Sequence, residues 1–89
     1  NIVTVNAGFV GTLALQPDIN PGSAISSVTT VTITGAATVT ATDLTTNRAR
    51  TRAHFTVPAL TTAGEYDVSV KVTTTDSQTI VTTATLKVQ

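Results

Sequence analysis

The chain has 89 residues and a formal net charge of zero, and only 11% of its residues are charged. This length predicts one domain, which we place at residues 1–89. The absence of cysteine excludes a disulfide framework, thiolate chemistry and a cysteine-based metal site. No apolar run approaches the roughly 18 residues of a membrane-spanning helix, so we predict no membrane span.

Threonine dominates the composition, with 22 of 89 residues, and valine contributes 12 more. Both are β-branched residues that favour the pleated surface of a sheet. The only aromatic residues are Phe9, Phe55 and Tyr66, so the core must consist mainly of small aliphatic side chains. No segment combines helical periodicity with capping residues. We therefore predict an all-β fold.

In the N-terminal segment, Val3, Val5, Ala7, Phe9, Gly11, Leu13 and Leu15 fall on odd positions, and most even positions carry Thr, Asn, Gly or Gln. A straight strand over this segment would run roughly 50 Å at ~3.3 Å per residue. A compact domain of this length has a radius of gyration of only ~12 Å. Because strand glycines mark bends, Gly8 and Gly11 predict two short strands, at residues 2–6 and 9–16. The alternative is that this segment adds a strand to the sheet of a neighbouring subunit.

The middle of the chain continues with short alternating segments. Two prolines and a glycine predict a loop at residues 16–23. A strand at residues 27–34 is then predicted, with Thr29, Val31 and Ile33 on one side and Val28, Thr30 and Thr32 on the other. A short strand at residues 37–42 and a polar turn at residues 43–47 follow.

A further strand is predicted at residues 48–57, and Pro58 ends it because proline removes a ladder donor. Period two places basic side chains on one face of this strand. They are Arg48, Arg50, Arg52 and His54. The opposite, inward face carries Ala49, Thr51, Ala53, Phe55 and Val57.

The clearest strand signal begins at Gly64 and extends to Val72. Strict alternation puts Tyr66 and the following valines on a buried face. A loop at residues 74–78 leads to a last predicted strand at residues 79–88. About seven short strands separated by turns predict an antiparallel β-sandwich of immunoglobulin-like type.

Two runs near the C-terminal end carry a family resemblance. Phe55-Thr56-Val57-Pro58-Ala59-Leu60, followed by Thr62-Ala63-Gly64-Glu65-Tyr66-Asp67-Val68-Ser69-Val70, is similar to the final strands of prokaryotic and phage immunoglobulin-like modules. Such modules recur in surface-layer proteins, adhesins, secreted enzymes and virion structural proteins. The resemblance implies a spacer, assembly or binding module, and it supplies no catalytic residue.

The residues offer little chemistry beyond binding. His54 is the only histidine, no Gly-x-Ser-x-Gly elbow exists, and the five acids fall in turns or on outward faces. We therefore predict no enzyme activity. One histidine without cysteine excludes an ordinary zinc site, and no turn offers more than two calcium-ligating side chains. We predict no metal and no cofactor. Few aromatics and no broad basic surface argue against nucleic acid as a partner.

The basic residues Arg48, Arg50, Arg52 and His54 form the one candidate binding site. In a sandwich with this strand order their strand pairs beside the second strand, so Glu65 and Asp67 belong to the opposite sheet. The stripe then lacks acidic partners in its own chain, which favours contact with an acidic protein neighbour or an acidic polysaccharide. The alternative is an arginine-rich strand that resists edge-to-edge pairing.

The neutral, threonine-rich composition, the long alternating N-terminal segment and the basic stripe favour a non-catalytic structural or interaction module. We expect it in an extracellular or particle-surface assembly, such as a surface layer, a pilus-like fibre or a capsid decoration. Its expected location is extracellular, on a cell surface or on a virion surface. Its partners would be protein neighbours in a homo- or hetero-oligomeric assembly, contacted through the N-terminal strand and the arginine-rich strand face. The alternative is a carbohydrate- or polyanion-binding accessory module of a secreted protein.

Overall fold

The computed structural model describes residues 2–89, and within them the chain forms eight β-strands and no helix. The all-β prediction is confirmed, with one strand more than the seven expected. The strands are β1 (Ile2–Val5), β2 (Gly11–Leu15), β3 (Ile25–Thr34), β4 (Thr38–Thr40), β5 (Thr42–Thr46), β6 (Ala53–Val57), β7 (Gly64–Thr74) and β8 (Thr79–Val88).

The strands form two sheets that pack face to face. One sheet has the order β1-β8-β7-β3-β4 and the other the order β2-β6-β5. All neighbours are antiparallel except β1 and β8, which are parallel. Alternate residues of both sheets meet between them, and the fully buried members are mostly valine, isoleucine and leucine. The predicted core of mainly aliphatic side chains therefore lies between the two sheets and holds them together.

Strand β7 lies in the middle of the larger sheet, and its alternation is unbroken. Tyr66 at its start is only 1% exposed, and its hydroxyl donates a hydrogen bond to the carbonyl oxygen of Thr62 at 2.8 Å. The ring packs over Gly35, where a Cβ atom would lie 2.5 Å from the ring carbon Cδ2. Gly35 is therefore the residue that gives the ring its room.

The N-terminal segment divides into two strands, as the glycines predicted. The bend between β1 and β2 contains Gly8 with φ of +83°, a left-handed conformation that glycine adopts without strain. In the described chain β1 pairs with its own β8, from Ile2 beside Thr85 to Val5 beside Val88. Strand β2 crosses to the other sheet and pairs with β6.

Strand β3 departs from the predicted phase. It begins at Ile25 rather than at residue 27, and its pairing with β7 contains two irregularities, one after Ile25 and one after Val28. Each extra residue reverses the side to which the following residues point. Thr29 is therefore exposed, whereas Val31 and Ile33, which were predicted to share its side, are buried.

Residues 43–47 do not form the predicted polar turn. They belong largely to β5, and the preceding strand β4 ends at Thr40 instead of residue 42. The chain changes sheets at Ala41, whose N–H donates to the carbonyl oxygen of Val31 at 2.9 Å. Asp43, with φ of +54°, lies at a bulge in β5. The next residue, Leu44, is half-buried and packs against the core.

The predicted strand at residues 48–57 begins only at Ala53. Arg48, Arg50 and Arg52 therefore do not line a strand face, and Ala49 and Thr51 are exposed rather than buried. The strand does end before Pro58, it pairs with β2, and it lies in the sheet opposite β7, all as predicted. The late start has a local cause in the loop that precedes it.

Candidate functional site

Three loops meet at one end of the sandwich. They are residues 16–24 between β2 and β3, residues 47–52 between β5 and β6, and residues 75–78 between β7 and β8. The N–H of Ile25 donates to the carbonyl oxygen of Arg50 at 2.8 Å, and the N–H of Thr75 donates to that of Ala24 at 2.8 Å. These bonds tie the first loop to both of the others. We call this surface the loop end.

Residues 47–52 form a closed loop, the arginine hairpin, and the side chain of Asn47 organises it. Its Oδ1 accepts hydrogen bonds from the N–H groups of Thr51 at 2.8 Å and Arg52 at 3.0 Å. Its Nδ2 donates to the Thr51 hydroxyl at 2.9 Å. Backbone bonds between Asn47 and Arg50 and between Asn47 and Arg52 complete the loop. These local bonds compete with extension of the strand, which explains why β6 starts late.

The hairpin presents three exposed arginines, Arg48, Arg50 and Arg52, within five residues. Arg50 has φ of +57°, so the backbone turns there and breaks the period-two alternation. Among the side-chain hydrogen bonds of residues 2–89, none has an arginine side chain as donor. A guanidinium group can bind a carboxylate or sulfate through two parallel hydrogen bonds. The hairpin therefore offers several anion-binding groups on a fixed backbone.

His54 lies apart from this group. It is on β6, half-buried, with Ala14 of β2 and Thr45 of β5 as its register neighbours. Because Ala53 and Phe55 point into the core, His54 points to the outer face of the smaller sheet. Three of the four predicted binding residues therefore lie in one loop, and the fourth, His54, lies on the strand that follows this loop.

A second polar cluster joins the first and third loops around Asp76. Its carboxylate accepts hydrogen bonds from Asn20 Nδ2 and Ser23 Oγ, each at 2.9 Å, and from the Thr74 hydroxyl. These donors, with Thr74 the largest cause, lower the pKa of Asp76 from 3.8 to about 2. Sequence reasoning placed Asn20 and Asp76 in separate turns, because 56 residues separate them and no pattern links them.

Acid should weaken this cluster. Because the pKa of Asp76 is lower in the folded chain than its ordinary value, its contribution to stability is present above about pH 4 and is lost as the pH falls toward about 2. We expect urea midpoints to fall over that range. In Asp76→Asn, which cannot titrate there, the fall should be smaller. Equal acid sensitivity of both proteins would contradict the assigned role.

The rest of the described chain offers no competing site. A small apolar pocket beside β1 and β2, lined by Val3, Leu13 and Leu86 among others, has a volume of about 10 Å³, room for one water molecule. Within residues 2–89 no three histidine, aspartate or glutamate side chains come together as metal ligands. The same residues contain no helix long and apolar enough to cross a membrane.

Comparison with known proteins identifies no relative of this chain. No protein-family model matches the chain, and neither a curated protein nor a solved structure matches it.

Proposed function

We propose that the sandwich is of immunoglobulin-like type. The order β2-β6-β5 against β8-β7-β3 corresponds to the BED and GFC strands of that fold. The bond from the Tyr66 hydroxyl back to Thr62 supports the same assignment, because a tyrosine at the start of strand F characteristically bonds to the backbone a few residues upstream.

We propose further that the chain is a non-catalytic interaction module of an extracellular or particle-surface assembly, and that its loop end binds an acidic surface of a neighbouring protein. The arginine hairpin carries this proposal. Its three exposed guanidinium groups hydrogen-bond to no group within residues 2–89, while Asn47 fixes the backbone beneath them. A preorganised loop loses less conformational entropy on binding than a flexible one.

The N-terminal strand is the second contact that we propose with neighbours. Strand β1 has only four residues and forms an edge of the larger sheet. One side of its backbone is therefore free of any strand partner in the described chain, and such an edge can accept a strand from another molecule.

An acidic polysaccharide is the second candidate ligand, because its carboxylate or sulfate groups present the same chemistry to the hairpin. Carbohydrate sites commonly add an exposed aromatic ring to stack against a sugar. Here Phe55 and Tyr66 are buried and Phe9 is half-buried, so the loop end offers no such ring. This observation favours a protein surface.

A charge-matched pair of variants tests the proposal. Arg48→Gln/Arg52→Gln removes two positive charges from the hairpin, and Lys71→Gln/Lys87→Gln removes the same number from strands β7 and β8. Binding to immobilised polyglutamate and to polygalacturonate would be measured at low salt and at about 0.15 M salt, where the screening length is ~8 Å.

We expect the arginine variant to bind polyglutamate about tenfold more weakly than the wild type, a change of about 1.4 kcal/mol. The lysine variant should keep near-wild-type affinity, because its changed side chains lie outside the loop end. Stronger binding to polygalacturonate than to polyglutamate would favour the carbohydrate alternative. Equal losses in both variants, or no binding of the wild type at low salt, would refute the role of the hairpin.

A further inference from the structure

The two sheets leave four edge strands, and β2 has the least protected edge among the described residues. It has five residues, without a charged side chain, a proline or a bulge. No loop hydrogen bond within residues 2–89 involves any residue from Gly11 to Leu15. The N–H and C=O groups on its outer side are therefore free for another strand.

The other three edges are shorter or interrupted. Strands β1 and β4 have four and three residues. Strand β5 carries a charged residue at its bulge, Asp43, whose positive φ breaks the regular backbone. A shorter or bulged edge offers fewer regular main-chain hydrogen bonds to another molecule than the five residues of β2 do.

The surroundings of β2 are also apolar. A small apolar pocket beside β1 and β2 is lined by residues of both sheets. Val10, just before β2, is 62% exposed, and Ile2 on β1 is 67% exposed. On the opposite side a single residue, Ala41, connects β4 with β5, whereas five residues (6–10) connect β1 with β2.

We propose that β2 pairs with β2 of a second copy of this chain, so that two three-stranded sheets join into one six-stranded sheet. An edge that pairs with its own copy does so antiparallel about a two-fold axis, which closes the assembly as a dimer. Charge favours a second copy as the partner, because β2 is uncharged and two chains of zero net charge have no net charge repulsion between them.

Full overlap of the two strands fixes the register. Leu13 lies opposite Leu13 of the partner subunit, and Thr12 lies opposite Ala14 of the partner subunit. Thr12 and Ala14 are both exposed and point away from the core, so each can be replaced without disturbing the packing between the sheets. The proposed interface does not include the arginine hairpin.

Two double variants test this register. In Thr12→Lys/Ala14→Lys, each lysine would face a lysine of the partner subunit, and like charges directly opposite each other destabilise a strand pair. In Thr12→Lys/Ala14→Glu, each lysine would face a glutamate. The second variant also checks folding, because it places long side chains at the same two positions.

Sedimentation velocity over a range of concentrations would give the dimer dissociation constant. We expect the lysine pair to weaken dimerisation about tenfold or more, and the lysine–glutamate pair to restore it. A wild-type chain that stays monomeric at high concentration would overturn the proposal, as would two variants that dimerise equally well. Arg48→Gln/Arg52→Gln should dimerise normally, so failure of the loop-end proposal would be seen separately.

Association through a donated N-terminal strand can be distinguished with a disulfide. Thr4 and Lys87 are register partners on β1 and β8, and the chain has no other cysteine. The bridged variant Thr4→Cys/Lys87→Cys holds β1 on its own domain. We expect it to dimerise as the wild type does. A bridged chain that is monomeric, together with a reduced chain that is dimeric, would assign the dimer to strand donation and refute the β2 interface.

Discussion

Replacing Tyr66 by alanine is expected to lower the free energy of unfolding by about 3–5 kcal/mol, the usual cost of truncating a buried aromatic side chain. Tyr66 is only 1% exposed and is one of three aromatic residues in the chain. Its ring fills the space above Gly35, and aliphatic neighbours on a β-sheet can collapse only partly into the resulting cavity. Urea denaturation at constant m-value would measure the change.

Tyr66→Phe is the matched control. It keeps the ring and removes only the hydroxyl that donates to Thr62, so we expect a loss of about 1 kcal/mol. If Tyr66→Ala cost less than about 1 kcal/mol, the ring could not be the main support of this end of β7. If Tyr66→Phe cost as much as Tyr66→Ala, the hydrogen bond would outweigh the packing.

Replacing Asn47 by alanine should cost about 2 kcal/mol, because three side-chain hydrogen bonds at roughly 0.5–1.5 kcal/mol each are lost. Part of that loss is offset by water, since the loop is on the surface. The amide N–H groups of Thr51 and Arg52 should also exchange faster with solvent. Urea denaturation and hydrogen exchange would measure the two effects.

Asn47→Asp separates the two parts of this side chain. Aspartate keeps the oxygen that accepts from Thr51 and Arg52 and loses only the donor to the Thr51 hydroxyl. We therefore expect most of the stability to be retained. Equal destabilisation by Asn47→Asp and Asn47→Ala would show that the acceptor oxygen does not organise the hairpin.

Much of the fold was predictable because alternation is unbroken where a strand has one buried and one exposed face. Strand β8 has the predicted bounds, and β7 has the predicted phase. The prediction failed where the pairing is irregular. The two bulges of β3 and the left-handed Asp43 of β5 change the phase locally, and the residues there are threonine, serine and aspartate, which suit turns and exposed strands equally.

The sequence predicted the exposure of Arg48, Arg50 and Arg52 and did not predict the loop that carries them. The segment Arg-Ala-Arg-Thr-Arg has the alternating pattern of a strand although it forms a loop. Alternation alone therefore could not distinguish a strand from a loop here. The deciding interaction is the side chain of Asn47, and asparagine before a polar segment is a turn signal that competes with the strand pattern. The cluster around Asp76 depends on contacts distant in sequence, for which a single sequence carries no signal.

The parallel pairing of β1 with β8 has a mechanical consequence. Ile2 begins β1 beside Thr85, whereas β8 continues past this point to end at Val88 beside Val5. Tension applied to the two ends of the chain therefore pulls these strands in opposite directions along their common axis. Their hydrogen bonds are loaded together, in shear, rather than opened one after another. A pulling force on the two ends is therefore borne first by the hydrogen bonds between β1 and β8.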